Sequence, residues 1–403
     1  MSKPEILSFL TEDFLQPQPE MLELSINKQS LFIGIPKEMA FQEHRVPLAP
    51  GAVALLVSNG HKVYVESKAG LTSSFTDEEY TDSGAKICYD VKEVYQADII
   101  LKVEPPSLDE LDYFKHNQCL ISALQLKTQS ADYFKKLMEK KVTAVAFDYI
   151  QDESGSFPIV RSMSEIAGTS AILIAAELLS SSAGGRGVLM GGIAGVSPTQ
   201  VVIIGAGTVA EFAARSAMAL GASVQVFDNS IARLRRIQSD LNLRVATSIL
   251  QPKVLEKALK RADVAIGALR AESGRTPCVI TEEMVQKMKS KAVIVDVSID
   301  QGGCFETSEI TNHETPTFTK HDVIHYCVPN IASRSAKTAS YSLSNILAPI
   351  LLKLGDGGGV QGMLLRSPNI RGGVYVYNGI ITNKGIGTWF GLPHKEIRLL
   401  LGL

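Results

Sequence analysis

An α/β protein of two doubly wound domains, each built around its own parallel sheet, is what three observations in this 403-residue sequence predict. Short apolar runs alternate with amphipathic segments from Leu31 onward, and the alternation begins a second time at VVIIG. Two long helical patterns, SEIAGTSAILIAAELLSSSAGG and TASYSLSNILAPILLKL, stand at the changeovers. Apolar runs of about four to eight residues separated by amphipathic helical stretches indicate βαβ units. A chain of this length forms two cores.

The elements follow in order. Residues 1 to 30 are polar, carry Pro17 and Pro19 in QPQP, and read as an arm ahead of the fold. The first alternation then runs LFIGIP, GAVALLVSNG, HKVYVES, TDEEYTDSGA, ADIILKV, CLISAL, SADYFKKLMEKK and VTAVAFDYI. The first long helix has Ser164 as its expected N-cap and glycines at its end. The second alternation runs through VVIIG, SVQVF, VAIGAL, AVIVDV and HYCV, with helices such as SIARLRRIQSDL between them. A chain that crosses between sheets by one long helix and leaves by another returns its tail to the first domain. The expected limits are an arm at 1–30, a discontinuous outer domain at 31–160 plus 337–403, and a continuous inner domain at 161–336, with a cleft between the two.

A net charge of −2 gives no basic excess for nucleic acid or anionic lipid, so small molecules are the expected ligands. Cys88, Cys119, Cys278, Cys304 and Cys327 are odd in number and scattered, as reduced thiols of a cytoplasmic protein are. His321 and His325 stand four apart, but HDVIHYCV reads as a strand, so no metal is assigned. Glu5, Glu12 and Asp13 argue against a signal peptide. The most apolar stretches, Ile166–Leu179 and Ile346–Leu352, fall short of the roughly 18 to 20 residues that span a bilayer, so no membrane span is expected.

The most informative segment is VVIIGAGTVAEFAARSAMALGASVQVFD. Val201 to Ile204 form a strand, Gly205, Gly207 and Ala210 follow, and a helix opens at once. Gly205 permits the tight turn, Gly207 lets backbone approach a pyrophosphate, and Ala210 allows close packing of helix on strand. The helix N-terminus offers amides to phosphate. Asp228 ends the next strand, where an acid accepts hydrogen bonds from ribose hydroxyls and repels a 2′-phosphate, favouring NAD over NADP. The inner domain therefore reads as a Rossmann-type NAD-binding domain, its outer partner as a Rossmann-like substrate domain, and the cleft as the active site.

GIPKE, HRVPLAP, ADIILKV, SMSEIAG, GGRGVLMGGIAGV, VDVSIDQGGCFE, and HYCVPN followed by KTASYSLSN are more specific than the glycine fingerprint alone. On these stretches the chain resembles the alanine dehydrogenases and the soluble nucleotide-binding domain of proton-translocating nicotinamide nucleotide transhydrogenase. SMSEIAG and SIDQGGCFE are closer to alanine dehydrogenase. The resemblance implies an NAD-dependent oxidoreductase interconverting L-alanine with pyruvate and ammonia, assembled as a homohexamer or smaller homo-oligomer, with an amino or 2-oxo acid as its partner. It implies that Arg45 grips the substrate carboxylate, as a guanidinium suits a planar carboxylate. It sets Asp300 beside the nicotinamide ribose and the reacting carbon. Ser164, Thr208, Asp228, Arg233, Leu269, Gln301 and Asn330 match family positions near the cofactor.

Two departures touch the chemistry. Where the family carries a lysine in a KVKEP-like motif, this chain reads KVEPP and has Glu104. Where the family carries a proton-handling histidine, LQLKT has Gln125, which exchanges no proton near neutral pH. If the strand continues, Lys102 shares a face with Glu104 and reaches the substrate carboxylate, and Lys127 shares a face with Gln125. Three readings stand: an alanine-type dehydrogenase with Glu104 and Gln125 in its site, a transhydrogenase-like NAD(H) module working with a membrane partner, and an NAD(H)-binding protein with little or no turnover.

Overall fold

The computed structural model describes residues 28–242, 244–270 and 276–403, and the side chain of Lys127 lies outside the described set. So does nearly all of the expected arm. The first sheet uses β1 (Phe32–Ile35), β2 (Lys62–Glu66), β3 (Lys86–Cys88), β4 (Ile99–Leu101), β5 (Cys119–Ser122) and β6 (Thr143–Ala146). The second uses β7 (Gln200–Ile204), β8 (Ser223–Phe227), β9 (Ala246–Ser248), β10 (Val264–Gly267), β11 (Val293–Asp296), β12 (Thr317–Lys320) and β13 (Val323–Tyr326). The tail then returns as β14 (Val374–Tyr377) and β15 (Ile380–Ile381), which join the first sheet.

Strand order is β15-β14-β6-β5-β4-β1-β2-β3 in the first sheet and β12-β13-β11-β10-β7-β8-β9 in the second. The helix-linked pairs are parallel, whereas β14 on β6, β15 on β14 and β12 on β13 are antiparallel edge additions. Each sheet is covered on both faces, so β4, β5, β6, β10, β11 and β13 are buried at every residue. In both sheets the order reverses beside the first strand: β1 lies between β4 and β2, and β7 between β10 and β8. Such a switch point opens a crevice at the carboxyl ends of the strands.

Two 21-residue helices tie the sheets together, Pro158–Leu178 and Ala336–Asp356. The first begins earlier than its sequence pattern indicated. Phe157 is its N-cap and Pro158 opens the first turn, so Ser164 lies inside the helix and its hydroxyl donates to the Val160 carbonyl at 2.7 Å. A proline at the first helical position is already set to helical φ and gives up an amide that would have no partner anyway, and that outweighs the serine signal further on. At 21 residues this helix is long and apolar enough to cross a membrane by length and composition. Its packing is that of a core helix: Ala167, Gly168, Ala171 and Ala175 are buried and face the alanine-rich helix Thr208–Ala219. A Cβ on Gly168 would stand 2.3 Å from the Val209 carbonyl oxygen, so the glycine sets how closely the helices approach.

The second long helix anchors the loop after β1. Ser340 and Ser344 lie on its buried face, and their hydroxyls accept the backbone N–H groups of Val46 at 2.9 Å and Ala49 at 2.6 Å. Ser333, just before it, accepts the N–H of His44 at 3.0 Å and donates to the Gln42 carbonyl at 2.8 Å. A buried loop must satisfy its backbone groups, and these serines do so for the stretch that carries Arg45.

Candidate active site

The loop after β1 places Glu38, Glu43 and Arg45 in the cleft, all buried. Glu43 and Arg45 are two apart in this loop, and Glu43 Oε1 accepts the Arg45 backbone N–H at 2.8 Å. Arg45 Nε and Nη2 donate to the two oxygens of Glu43 at 2.8 and 2.5 Å. Nη2 also donates to Glu104 Oε1 at 3.3 Å, and Nη1 to the Met163 sulfur at 3.4 Å. Burial would lift the Glu43 carboxyl, yet the charge and hydrogen bonds of Arg45 hold it down at about 2. Glu104 goes the other way: burial, with Glu43 alongside, raises it to about 8 against the pull of Arg45.

Lys102 does not turn toward Arg45. Its ammonium, 1% exposed, donates to Glu110 at 2.6 Å and lies 3.5 Å from Glu38, because the chain leaves strand geometry after Leu101. Glu38 in turn accepts the Val103 N–H at 2.6 Å, and burial raises its carboxyl to about 7 despite Lys102. Gln125 is exposed, in a left-handed conformation with φ 44°, at the start of a 3₁₀ turn. Its carbonyl accepts the N–H and hydroxyl of Thr128.

The second sheet meets this loop from the opposite side. Asp296 ends β11 and accepts the N–H groups of Ser298 and Cys304 at 3.0 Å each, shaping the turn that carries Asp300 and Gln301. Asp300 Oδ1 accepts the Asn330 N–H at 3.1 Å. The same asparagine donates from Nδ2 to Glu43 Oε2 at 2.8 Å. A continuous chain of contacts thus runs Arg45, Glu43, Asn330, Asp300 from one sheet's loop to the other's. Asp300 opens on the cleft, but protein surrounds it on most sides, and the shortage of water raises it to about 6.

The glycine fingerprint fits a dinucleotide pyrophosphate. Gly205 has φ +114°, and a Cβ there would meet the Ala268 carbonyl oxygen at 2.4 Å and the Leu269 nitrogen at 3.1 Å. A Cβ on Gly207 would meet nothing within 4 Å, because it points into open space ahead of the helix Thr208–Ala219. No side chain caps that helix, which leaves its first amides to a ligand. Ala210 is fully buried. Asp228 accepts the Ala206 N–H at 2.8 Å and the Ser230 N–H at 2.7 Å, so the acid also braces the glycine turn. Arg233 is exposed on the following helix, and Ser164, Thr208 and Gln301 are half-buried.

Sequence reading passed over Glu38, Glu43 and Asp148. Glu43 carried a signal, since an acid two residues from a candidate carboxylate-binding arginine is near enough to pair with it. Asp148 follows β6, and one of its carboxyl oxygens is buried with no hydrogen-bond partner; burial raises the group to about 6. The histidine pair is structural: His325 is buried, with Nε2 on the Thr307 hydroxyl at 2.8 Å and Nδ1 on the Val323 carbonyl at 2.9 Å. His321 instead holds Glu282 at 2.6 Å.

Family models for the alanine dehydrogenase/PNT N-terminal domain and C-terminal domain match residues 34–167 and 171–384. The chain belongs to the alanine dehydrogenase/PNT family. It is 39% identical to the alanine dehydrogenase of Methanococcus maripaludis over 366 residues, 90% of this chain and 98% of that protein. It is 38% identical to the alanine dehydrogenase of Bacillus subtilis over 365 residues, 90% of this chain and 96% of that one. An L-alanine dehydrogenase structure superposes with a TM-score of 0.84 at 34% identity, covering 89% of this chain and 99% of its own. A transhydrogenase structure from Sinorhizobium meliloti shares the fold, with a TM-score of 0.75 at 23% identity over 88% of this chain and 99% of its own. Within the alanine dehydrogenase/PNT family this chain is an alanine dehydrogenase-like oxidoreductase, and both matched domains contribute to the cleft.

Proposed function

We propose that the protein is an NAD(H)-dependent dehydrogenase that interconverts L-alanine with pyruvate and ammonia, and that it works as a homo-oligomer. The observation that supports this reading is the contact chain from Arg45 through Glu43 and Asn330 to Asp300, which joins a guanidinium from one sheet's loop to a carboxyl from the other's. In this reading Gly205, Gly207, Thr208 and Ala210 hold the pyrophosphate, and Asp228 faces the adenine ribose and disfavours NADP. Ser164, Arg233, Leu269, Gln301 and Asn330 complete the cofactor's surroundings. The nicotinamide supplies the hydride acceptor for the α-carbon.

Arg45 orients the substrate through its carboxylate. Asp300, with its carboxyl raised to about 6, is ionised above that pH and takes a proton from the water that attacks the imine carbon. Gln125 contributes a hydrogen bond and no proton, and Glu104 stands where the family has a lysine. Positioning and electrostatics then supply most of the rate. Those two replacements also favour a second reading, an NAD(H)-binding protein of low turnover. A screen of amino and 2-oxo acids with NAD(H), followed at the nicotinamide absorbance, decides between them: alanine and pyruvate turn over in the first, and nothing does in the second.

A further inference from the structure

Arg45 carries carboxylates before any substrate arrives. Glu43 occupies the side of the guanidinium formed by Nε and Nη2. The end formed by Nη1 and Nη2 is the edge left for a bidentate carboxylate, and there, among the described residues, Nη1 donates to a thioether, a weak acceptor. The remaining Nη2 proton is the one Glu104 Oε1 holds at 3.3 Å. An incoming carboxylate and Glu104 therefore need the same hydrogen.

We propose that Glu104 is an internal competitor for the substrate carboxylate on Arg45, and that a carboxylate ligand binds there with uptake of one proton by Glu104. The inference rests on the reading of Arg45 as the carboxylate grip. Were Glu104 to stay ionised, one guanidinium would face three carboxylates in a buried site, where like charges repel with little screening. Once protonated, Glu104 gives up Arg45 and can donate to Glu43, which stays ionised.

The surrounding charges assign the proton. From the loop after β1, Arg45 and Glu43 face Glu104, and Glu38 accepts its N–H at 3.4 Å. On its own segment Lys102 is held by Glu38 and Glu110, and across the cleft Asp300 lies within the field of Arg45. Glu43 is held at about 2 and keeps its charge, whereas Glu104, raised to about 8, is the group that changes charge at working pH. Below that value Glu104 already has its proton and binding takes none up. Above it, each carboxylate bound brings a proton with it, and affinity falls about tenfold per pH unit.

The test is calorimetric titration of pyruvate into the full chain saturated with NAD⁺, where no hydride can pass, near pH 9 in two buffers of different ionisation enthalpy and again near pH 7. Wild type is expected to take up close to one proton near pH 9 and almost none near pH 7. Glu104→Gln is expected to bind without uptake and about tenfold more tightly than wild type near pH 9, with NAD⁺ binding reporting that it is folded. Pyruvate binding with no proton uptake and no pH dependence, or unchanged uptake in Glu104→Gln, overturns the inference alone. Failure of pyruvate to bind at any pH while NAD⁺ still binds overturns the substrate reading of Arg45 and the inference with it.

Discussion

Arg45 is nearly closed to solvent and its charge is matched by Glu43, which makes its removal a stability event as well as a functional one. Breaking a buried pair by removing one partner costs about 3–5 kcal/mol, because the other charge is left without compensation. Arg45→Ala is therefore expected to lose carboxylate binding and stability together, while NAD⁺ affinity stays near wild type because the fingerprint lies on the other sheet. Pairing it with Glu43→Gln should recover most of the stability and none of the carboxylate binding. Equal losses of NAD⁺ and carboxylate affinity, measured by calorimetry, would show that Arg45 serves the cofactor instead. At the neighbouring positions, Glu104→Lys with Gln125→His restores a cation and a proton carrier. A positioned general acid or base is worth about 10²- to 10⁴-fold, so alanine deamination should rise within that range and take on a histidine-like pH profile. An unchanged rate across pH would mean the site is shaped for another ligand.

Among the elements, the pair formed by helices Pro158–Leu178 and Thr208–Ala219 couples the fold to the cofactor site, since Gly168 packs beside the N-terminal turn of the second. Gly168→Ala forces a methyl group against the Val209 carbonyl oxygen, and overpacking of this kind costs about 1–3 kcal/mol. The urea midpoint should fall, and NAD⁺ affinity with it, as the helix that presents its amides to phosphate moves. If stability falls while NAD⁺ affinity holds, the helix end is not the phosphate site. Periodicity in the sequence located this helix, but Ser164 was a misleading N-terminal signal. A serine hydroxyl can also bond back to the carbonyl four residues earlier, and only the position of Pro158 against the preceding chain decides between the two uses.

For the molecule as a whole, acids with widely spread affinities stand in or near the cleft, with buried Glu43 at about 2, Asp300 and Asp148 at about 6, Glu38 at about 7 and Glu104 at about 8. The signs differ. Glu43, depressed, contributes stability that is present above the unfolded carboxyl value and lost as pH falls toward 2. The raised acids bind protons more tightly folded than unfolded, so their contribution is greatest below the unfolded carboxyl value and is lost as pH climbs from there to about 6 for Asp300 and to about 8 for Glu104. Thermal stability should therefore peak in the mildly acidic range and decline toward pH 8. Glu104→Gln should match wild type near pH 4, where Glu104 is neutral both folded and unfolded, and exceed it increasingly as pH rises toward 8 and beyond. Unfolding curves in which wild type gains on the variant as pH rises would show that the ionised Glu104 stabilises Arg45 and the sign is wrong. We also propose the domain limits 31–160 with 337–403 for the outer domain, and 161–336 for the inner one.

What the amino-acid order by itself determined was the two sheets, the glycine turn and the strand-end Asp228, because each rests on local periodicity or on one backbone position that only a small residue can occupy; Arg45 was singled out by the resemblance of HRVPLAP to the family. What the tertiary structure decided was who meets whom. Lys102 and Glu104, two positions apart, part company: one is held by Glu38 and Glu110, the other by Arg45. Glu43 and Asn330 meet across 287 positions of sequence. Electrostatic pairing in a buried cleft depends on distances of a few ångströms between segments remote in the chain, and local sequence patterns do not encode those distances.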